Sequence, residues 1–159
     1  MIRHCKPSDK HTIYTIVNEA AKAYENVIPA DRYHQPYMSM PELAQEMKRV
    51  TFFGWADERK LVGIMGIEPV RDVTLIRHAY VLPEHQKQGI GGKLLEYLKD
   101  KVSTSQLLVG TWADAYWAVE LYQKHGFTLM SNKDELLHTY WDIPERQVET
   151  SVVLGIAIK

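Results

Sequence analysis

Cysteine is nearly absent from this sequence: one thiol, Cys5, in 159 residues. It excludes an internal disulfide, and there is no C-x-x-C pair to grip a metal. H-E-x-x-H is missing too, so the seven histidines match no familiar ligand spacing and no metal is expected. No apolar run reaches membrane-spanning length and no signal-peptide pattern stands out, so no membrane partner is expected and the cytoplasm is the default location. An excess of either charge is lacking as well: 19 Lys and Arg face 20 Asp and Glu, a net charge of -1. That balance argues against a nucleic-acid partner held by bulk charge, so any anionic ligand must be met locally. Low-complexity tracts and internal repeats are also missing. What is present, 45% apolar and 25% charged residues, fits one globular domain over residues 1–159 with a core of its own.

Periodicity supplies the elements. A short strand is expected at residues 2–5. Ser8 and Asp9 offer cap oxygens ahead of Ile13, Ile16, Val17, Ala20, Ala21 and Tyr24, which recur at helical spacing over about four turns. The stretch "ENVIPADRYHQPYM" fits neither period and reads as an irregular loop. Ser39 and Glu42 form an S-x-x-E capping box around Pro41, opening a helix that ends near Val50. "TFFGWAD", "LVGIMGIE" and "VTLIRHAYV" predict an antiparallel meander. Leu94, Leu95, Leu98 and Val102 mark another helix, "LLVGTW" a buried strand, and Ala118, Val119, Leu121 and Tyr122 a helix closed by Gly126. Residues 132–146 stay open, and "ERQVETSVVLGIAIK" alternates as one long final strand. The order β-α-α-β-β-β-α-β-α-β predicts an α+β, or α/β, mixed sheet.

Between the third meander strand and the next helix lies "PEHQKQGIGGKLLEYL", three glycines within four positions. Glycines at a helix start bare the unpaired N–H groups of its first turn, where the macrodipole adds positive charge, and so suit an anion. Two phosphate loops fail here. A P-loop requires Ser or Thr after Gly92-Lys93, but Leu94 follows, and its first glycine falls at Lys87. A dinucleotide G-x-G-x-x-G starting at Gly89 meets Leu94 instead of its last glycine, and a meander rather than a βαβ unit precedes it.

The pattern that fits is Q-x-x-G-x-G, at Gln86, Gly89 and Gly91, after a strand ending at Val81 and Pro83. In this the sequence resembles the GNAT superfamily of acyl-CoA-dependent N-acyltransferases, whose [Q/R]-x-x-G-x-[G/A] loop wraps the coenzyme A pyrophosphate. "AYWAVELYQKHGF" resembles the family's later motif through Ala118, Leu121, Tyr122, Gly126 and Phe127. One departure is Ala115, where many members carry Asn: that side-chain contact to the coenzyme is either absent or made by a neighbour such as Asp114 or Tyr116. The resemblance spans most of the chain and implies a GNAT-like acyl-CoA N-acyltransferase fold, a mostly antiparallel twisted sheet flanked by helices. It implies acetyl-CoA as acyl donor, with no metal. The pyrophosphate would lie on the amides of Gln86, Lys87, Gln88, Gly89, Ile90, Gly91, Gly92 and Lys93, and the pantetheine arm along Tyr80 and Val81.

Amine attack on a thioester needs a neutral amine, a polarised carbonyl and a proton for the departing thiolate. By family position Tyr122 is the acid, and it would also touch the coenzyme. For the base, His78 and Glu68 are both candidates, and a water chain is a third. A backbone N–H near Val81 would polarise the carbonyl. Lys87, Lys93 and Lys124 could meet phosphates or be merely solvated, and Trp112 and Trp117 could wall a pocket or the core. Tyr24, Tyr33, His34 and Tyr37 concentrate in the first long loop, a plausible acceptor-side lid. The expected reaction is direct acetyl transfer, in a ternary complex, to a primary amine of a small molecule such as an amine, amino acid or antibiotic-like acceptor. A peptide or protein amine and a non-catalytic acyl-CoA sensor stay open. The apolar tail "VVLGIAIK" makes a bare sheet edge improbable and leans toward a homodimer.

Overall fold

In the computed structural model, which describes residues 1–158, seven strands form one sheet: β1 (Ile2–His4), β2 (Thr51–Asp57), β3 (Lys60–Val70), β4 (Val73–Val81), β5 (Gln106–Trp112), β6 (Thr128–Leu129) and β7 (Ser151–Ala157). Their spatial order is β1-β2-β3-β4-β5-β7-β6. The helices are α1 (Lys10–Ala20), extended by 3₁₀ turns at Pro7–Asp9 and Ala21–Tyr24, then α2 (Met40–Arg49), α3 (Ile90–Lys99), α4 (Tyr116–Lys124), α5 (Lys133–Tyr140) and α6 (Glu145–Glu149).

Local signals account for most starts and stops. At α2 the Ser39 hydroxyl accepts the Glu42 amide at 3.2 Å and a Glu42 carboxylate oxygen accepts the Ser39 amide at 3.4 Å, a capping box that satisfies two otherwise unpaired donors. Asp9 caps from its side chain, but toward the Lys6 amide at 2.7 Å and Arg3 at 2.9 Å rather than into α1.

Every strand pairing is antiparallel except β4 with β5. That parallel contact lasts three residue pairs, Thr74–Leu107, Leu75–Leu108 and Ile76–Val109. Beyond Ile76 and Val109 the two strands no longer pair with each other and diverge, β4 keeping β3 and β5 keeping β7 as partner. β4 also bulges: Arg77 faces Gly66 and Tyr80 faces Ile64, so His78 and Ala79 together oppose Met65. His78 takes up the extra length with φ +57, the left-handed region where non-glycine residues are uncommon.

Helices cover both faces. Ile90 of α3 would touch a Cβ at Gly63, and Tyr97 of α3 stands edge-on to Phe53 of β2 at 5.5 Å. On the opposite face Val50, at the end of α2, closes on Gly66, and Tyr24 reaches Tyr80 at 6.4 Å. Leu137 of α5 and Val148 of α6 bury against Val73, Leu75, Leu108 and Val153.

The long final strand expected from residue 145 is not formed. Pro144 starts α6 instead, Val148 alone of that stretch turns inward, and the strand begins at Ser151. The alternation that reads as β across residues 145–150 rests on one apolar residue, which a single helical turn buries equally well. Residues 132–146, open at the level of sequence, hold α5 and the start of α6. β7 lies inside the sheet between β5 and β6 of its own chain.

Candidate functional site

The glycine stretch lies where β4 hands over to α3. Lys87 (φ +65) and Gly89 (φ +80) both adopt left-handed backbone, and Gly89 caps α3 without any side-chain acceptor. The first loop-to-helix bond runs from the Lys93 amide to the Gly89 carbonyl at 3.0 Å. Among the described residues the amides of residues 87–92 find no backbone acceptor, and the first turn carries no acidic side chain. A row of unpaired donors at a positive helix end, with open space in front of Gly89, fits an anionic group. The glycines differ in role. A Cβ at Gly89 would meet nothing within 4 Å, one at Gly91 would make ordinary contact with Leu121 at 3.4 Å, and one at Gly92 would strike the His125 ring at 2.6 Å. Gly92 therefore serves the packing of α3 on the end of α4. Gln86 is tied back, its side-chain amide donating to the Val81 carbonyl at 3.0 Å, and Gln88 is exposed. Lys93 lies 4.9 Å over the Trp55 ring, Lys87 is exposed beside the loop, and Lys124 is exposed at the end of α4.

A cavity of about 440 Å³ runs from this loop along the free edge of β4, lined by Ala79, Tyr80, Val81, Ile90, Leu121 and Tyr122 among others. A second, of about 280 Å³, opens on the side of α2, α5 and α6 and is lined by Arg32, Tyr37, Arg77, His78, Trp112 and Trp141 among others. Tyr24 and Tyr80 line both. The divergence of β4 from β5 thus leaves a gap entered from two sides, and the sides meet at two tyrosines.

Tyr122 is 4% exposed, its ring packed on Phe127 at 5.6 Å. Its hydroxyl makes no hydrogen bond among the described residues, yet it is not sealed off, since it borders the larger cavity. Burial first, then the nearby Tyr24, raises its pKa above the ordinary phenol value, so the group stays protonated across the neutral range. Burial raises Tyr24 and Tyr80 in the same way.

On the smaller cavity the bulge turns two consecutive residues, Arg77 and His78, to the same side. Regular alternation separates them, which is why the sequence marks His78 and passes over Arg77. His78 stacks on Phe52 at 5.9 Å, and its Nε2 lies 2.5 Å from a Glu46 carboxylate oxygen. Arg77 bridges Glu68 at 3.0 Å and Glu46 at 3.3 Å, and Arg49 also pairs with Glu46. Glu46, buried on α2, is the centre of this network; it lies between apolar helix positions and carries no spacing signal. Burial, then Arg77 and Arg49, push the His78 pKa down to about 3. Glu68 and Glu42 pull the other way by less, and the Glu46 carboxylate beside Nε2 is already neutralised by two guanidiniums, so the imidazole is neutral and Nε2–H donates to Glu46. Nδ1 is then its acceptor nitrogen. Glu68 is held by Arg77 and lines neither cavity.

Trp112 is buried and donates from Nε1 to the Tyr37 hydroxyl at 3.2 Å, walling the smaller cavity. Trp117 is 48% exposed, stacks on Tyr24 at 6.0 Å, and lines the larger one. Of the expected lid residues Tyr24, His34 and Tyr37 line the smaller cavity and Tyr33 does not, while Arg32, which carries no signal in the sequence, lines it beside them. Ala115 caps α4 through its carbonyl alone, and Asp114 and Tyr116 hydrogen-bond each other at 3.4 Å. Among the described residues there is no group of three or more metal-ligating side chains, and no helix is long and apolar enough to cross a membrane.

The family model for the acetyltransferase (GNAT) domain matches residues 48–129, more than half the chain. Solved structures with the same fold include the ribosomal-protein-S18-alanine N-acetyltransferase of Escherichia coli, 20% identical, covering 100% of this chain and 94% of that one at TM-score 0.72. The PaiA N-acetyltransferase of Thermoplasma acidophilum in complex with coenzyme A is 15% identical, covering 99% and 98% at TM-score 0.73. YncA of Salmonella typhimurium, with its cofactor acetyl-CoA, is 18% identical, covering 100% and 94% at TM-score 0.71.

Proposed function

Because the chain belongs to the GNAT family and is an acyl-CoA-dependent N-acetyltransferase, we propose that it acetylates the primary amine of a small molecule by direct transfer in a ternary complex, acting as one domain across its length. The observation that carries this reading is the pair of cavities meeting at Tyr24 and Tyr80 where β4 leaves β5. One side offers the anion cradle and a free strand edge, and the other a polar chamber about the size of a small metabolite.

Acetyl-CoA, when bound, supplies an activated acetyl group. The amides of residues 87–92 would hold its pyrophosphate, and the unpaired edge of β4 at Tyr80 and Val81 would hold the arm. Tyr122 is the proposed acid: burial keeps its phenol protonated, and its hydroxyl borders the larger cavity with no competing partner. His78 is the proposed acceptor of the amine proton. Glu46 fixes Nε2–H and leaves Nδ1 as the lone pair. Burial and the two guanidiniums oppose a charged imidazole, so it takes the proton late, once bond formation has made the attacking nitrogen acidic. Glu68 serves by holding Arg77 in place. Cys5 lines neither cavity and burial pushes its thiol up to about 12, which supports direct transfer over an acyl-cysteine route.

Likeness to the S18-alanine enzyme supports a peptide acceptor as the second reading. The walled smaller cavity favours the small one. Release of coenzyme A thiol from acetyl-CoA is the test, across small amines, amino acids and short peptides. Acceptor-dependent release with small amines supports the proposal. Release with peptides alone replaces it, and tight acetyl-CoA binding without release from any acceptor leaves the sensor reading.

A further inference from the structure

Two guanidiniums line the smaller cavity, and their situations differ. Arg77 is neutralised by Glu46 and Glu68. Arg32 makes no ion pair among the described residues. Its neighbour Asp31 could have served, but is taken by Arg146 at 2.9 Å. The single side-chain bond of Arg32 is Nη2 to the Gln147 side-chain oxygen on α6 at 3.2 Å, which joins the first long loop to a helix 115 residues later and fixes the guanidinium. Its Nε is withdrawn from water with no acceptor, the one buried side-chain polar atom in that state among the described residues. Native interiors rarely leave such a donor unpaired, and an absent partner is a standard reason when they do. An oriented cation without a counter-ion, in a chamber built for a small molecule, is matched by a planar oxyanion.

We propose that Arg32 anchors a carboxylate on the acceptor, so the substrate class is amino acids rather than simple amines. This inference rests on the smaller cavity being the acceptor side. The other titratable groups there are compatible with it. Neutral His78 meets the amine, and Glu42 is engaged at the α2 capping box, where Ser39 reaches its carboxylate at 3.2 Å. Arg32 lies close enough to Tyr37 to counter part of the upward push of burial on that phenol, so its charge is felt inside the chamber.

The test compares each common amino acid with its α-amide and with the amine lacking the carboxyl group, for the parent, Arg32→Gln and Arg32→Lys. The parent should favour the acid by about 10- to 100-fold in kcat/KM, the range expected for a hydrogen-bonded charge partner. Arg32→Gln should erase that preference through the acid's KM, leaving KM for acetyl-CoA and the rate on the amide in place, and Arg32→Lys should keep part of it. A second readout needs no turnover: binding of N-acetyl amino acids in the presence of coenzyme A, by calorimetry, should weaken by the same factor in Arg32→Gln. Equal turnover of acid, amide and amine would overturn the anchor while leaving acetyl transfer intact, as would an Arg32→Gln loss shared by all three. Absent turnover together with Arg32-dependent binding of N-acetyl amino acids would support the anchor and count against the transfer reading. Absence of both would sink the two together.

Discussion

Replacing Tyr122 with Phe removes one oxygen from a site where burial, packing and chemistry separate cleanly. The ring is 4% exposed and stays packed on Phe127, so the apolar contacts survive the change. The hydroxyl has no protein partner among the described residues, so no internal hydrogen bond is lost and stability should move by no more than about 0.5 kcal/mol. That corresponds to roughly 2 °C or less in Tm for a chain of this size. If the phenol delivers the proton to the leaving thiolate, its loss should slow transfer by about 10²- to 10⁴-fold. At about 1.4 kcal/mol per tenfold, the barrier rises by roughly 3–5 kcal/mol. The assay is single-turnover release of coenzyme A thiol at saturating acceptor, with thermal unfolding measured on the same preparations. Since burial raises the Tyr122 pKa above that of a free phenol, loss of the acid form should not limit the parent's rate below about pH 10. A variant that unfolds like the parent and turns over within about threefold of it would refute the assignment.

Glycine substitutions should separate the cradle from the packing. Gly92→Ala, whose Cβ would lie 2.6 Å from the His125 ring, should lower Tm by forcing α3 off α4, while Gly91→Ala should leave it nearly unchanged or raised. Gly89→Ala meets no atom but holds φ +80, so it should cost about 1–2 kcal/mol of stability and weaken acetyl-CoA binding, measured by calorimetry. Arg77→Ala strips the counter-charge from Glu46 and Glu68 and should destabilise by about 3 kcal/mol in urea unfolding; an effect under about 1 kcal/mol would mean that Arg49 alone suffices. His78 has a folded pKa depressed from 6.5 to about 3, so its contribution is full above pH 6.5 and is lost as pH falls from there toward 3. His78→Asn, which tolerates the left-handed backbone, should flatten the fall of Tm over that window. The raised pKa values of Tyr24, Tyr80 and Tyr122 act at the other end, with stability full below about pH 10 and lost as the pH climbs above it.

The elements that were legible in the chain are those whose signal is local. The capping box at Ser39 and Glu42, the three-strand meander and the glycine-opened helix each depend on residues within one or two turns of each other, and each formed where expected, except that the helix stops at Lys99 and leaves Val102 outside it. The residue-145 strand failed because five residues with a single apolar position satisfy either period, and Pro144 and the pocket for Val148 decided between them. The glycine loop proposed to hold the donor could be read for the same reason as the helices, since its amides are consecutive. The smaller cavity proposed for the acceptor could not. Arg77, Arg32 and Gln147 come from β4, a loop and α6, and only the fold brings them to one chamber, with Glu46 of α2 pairing to Arg77.

By itself, then, the sequence determined the order of the elements as far as α4, the family through two contiguous motifs, and a glycine-opened helix start with bare amides. Tertiary structure alone decided the gap between β4 and β5, the bulge that turns Arg77 and His78 together, and which guanidinium is neutralised and which is left without a carboxylate. The division follows from range. Hydrogen-bond caps, periodicity and helix-end amides act over a few residues and are written in neighbouring letters, whereas strand register, charge pairing and desolvation depend on distances in space between residues as far apart as 32 and 147.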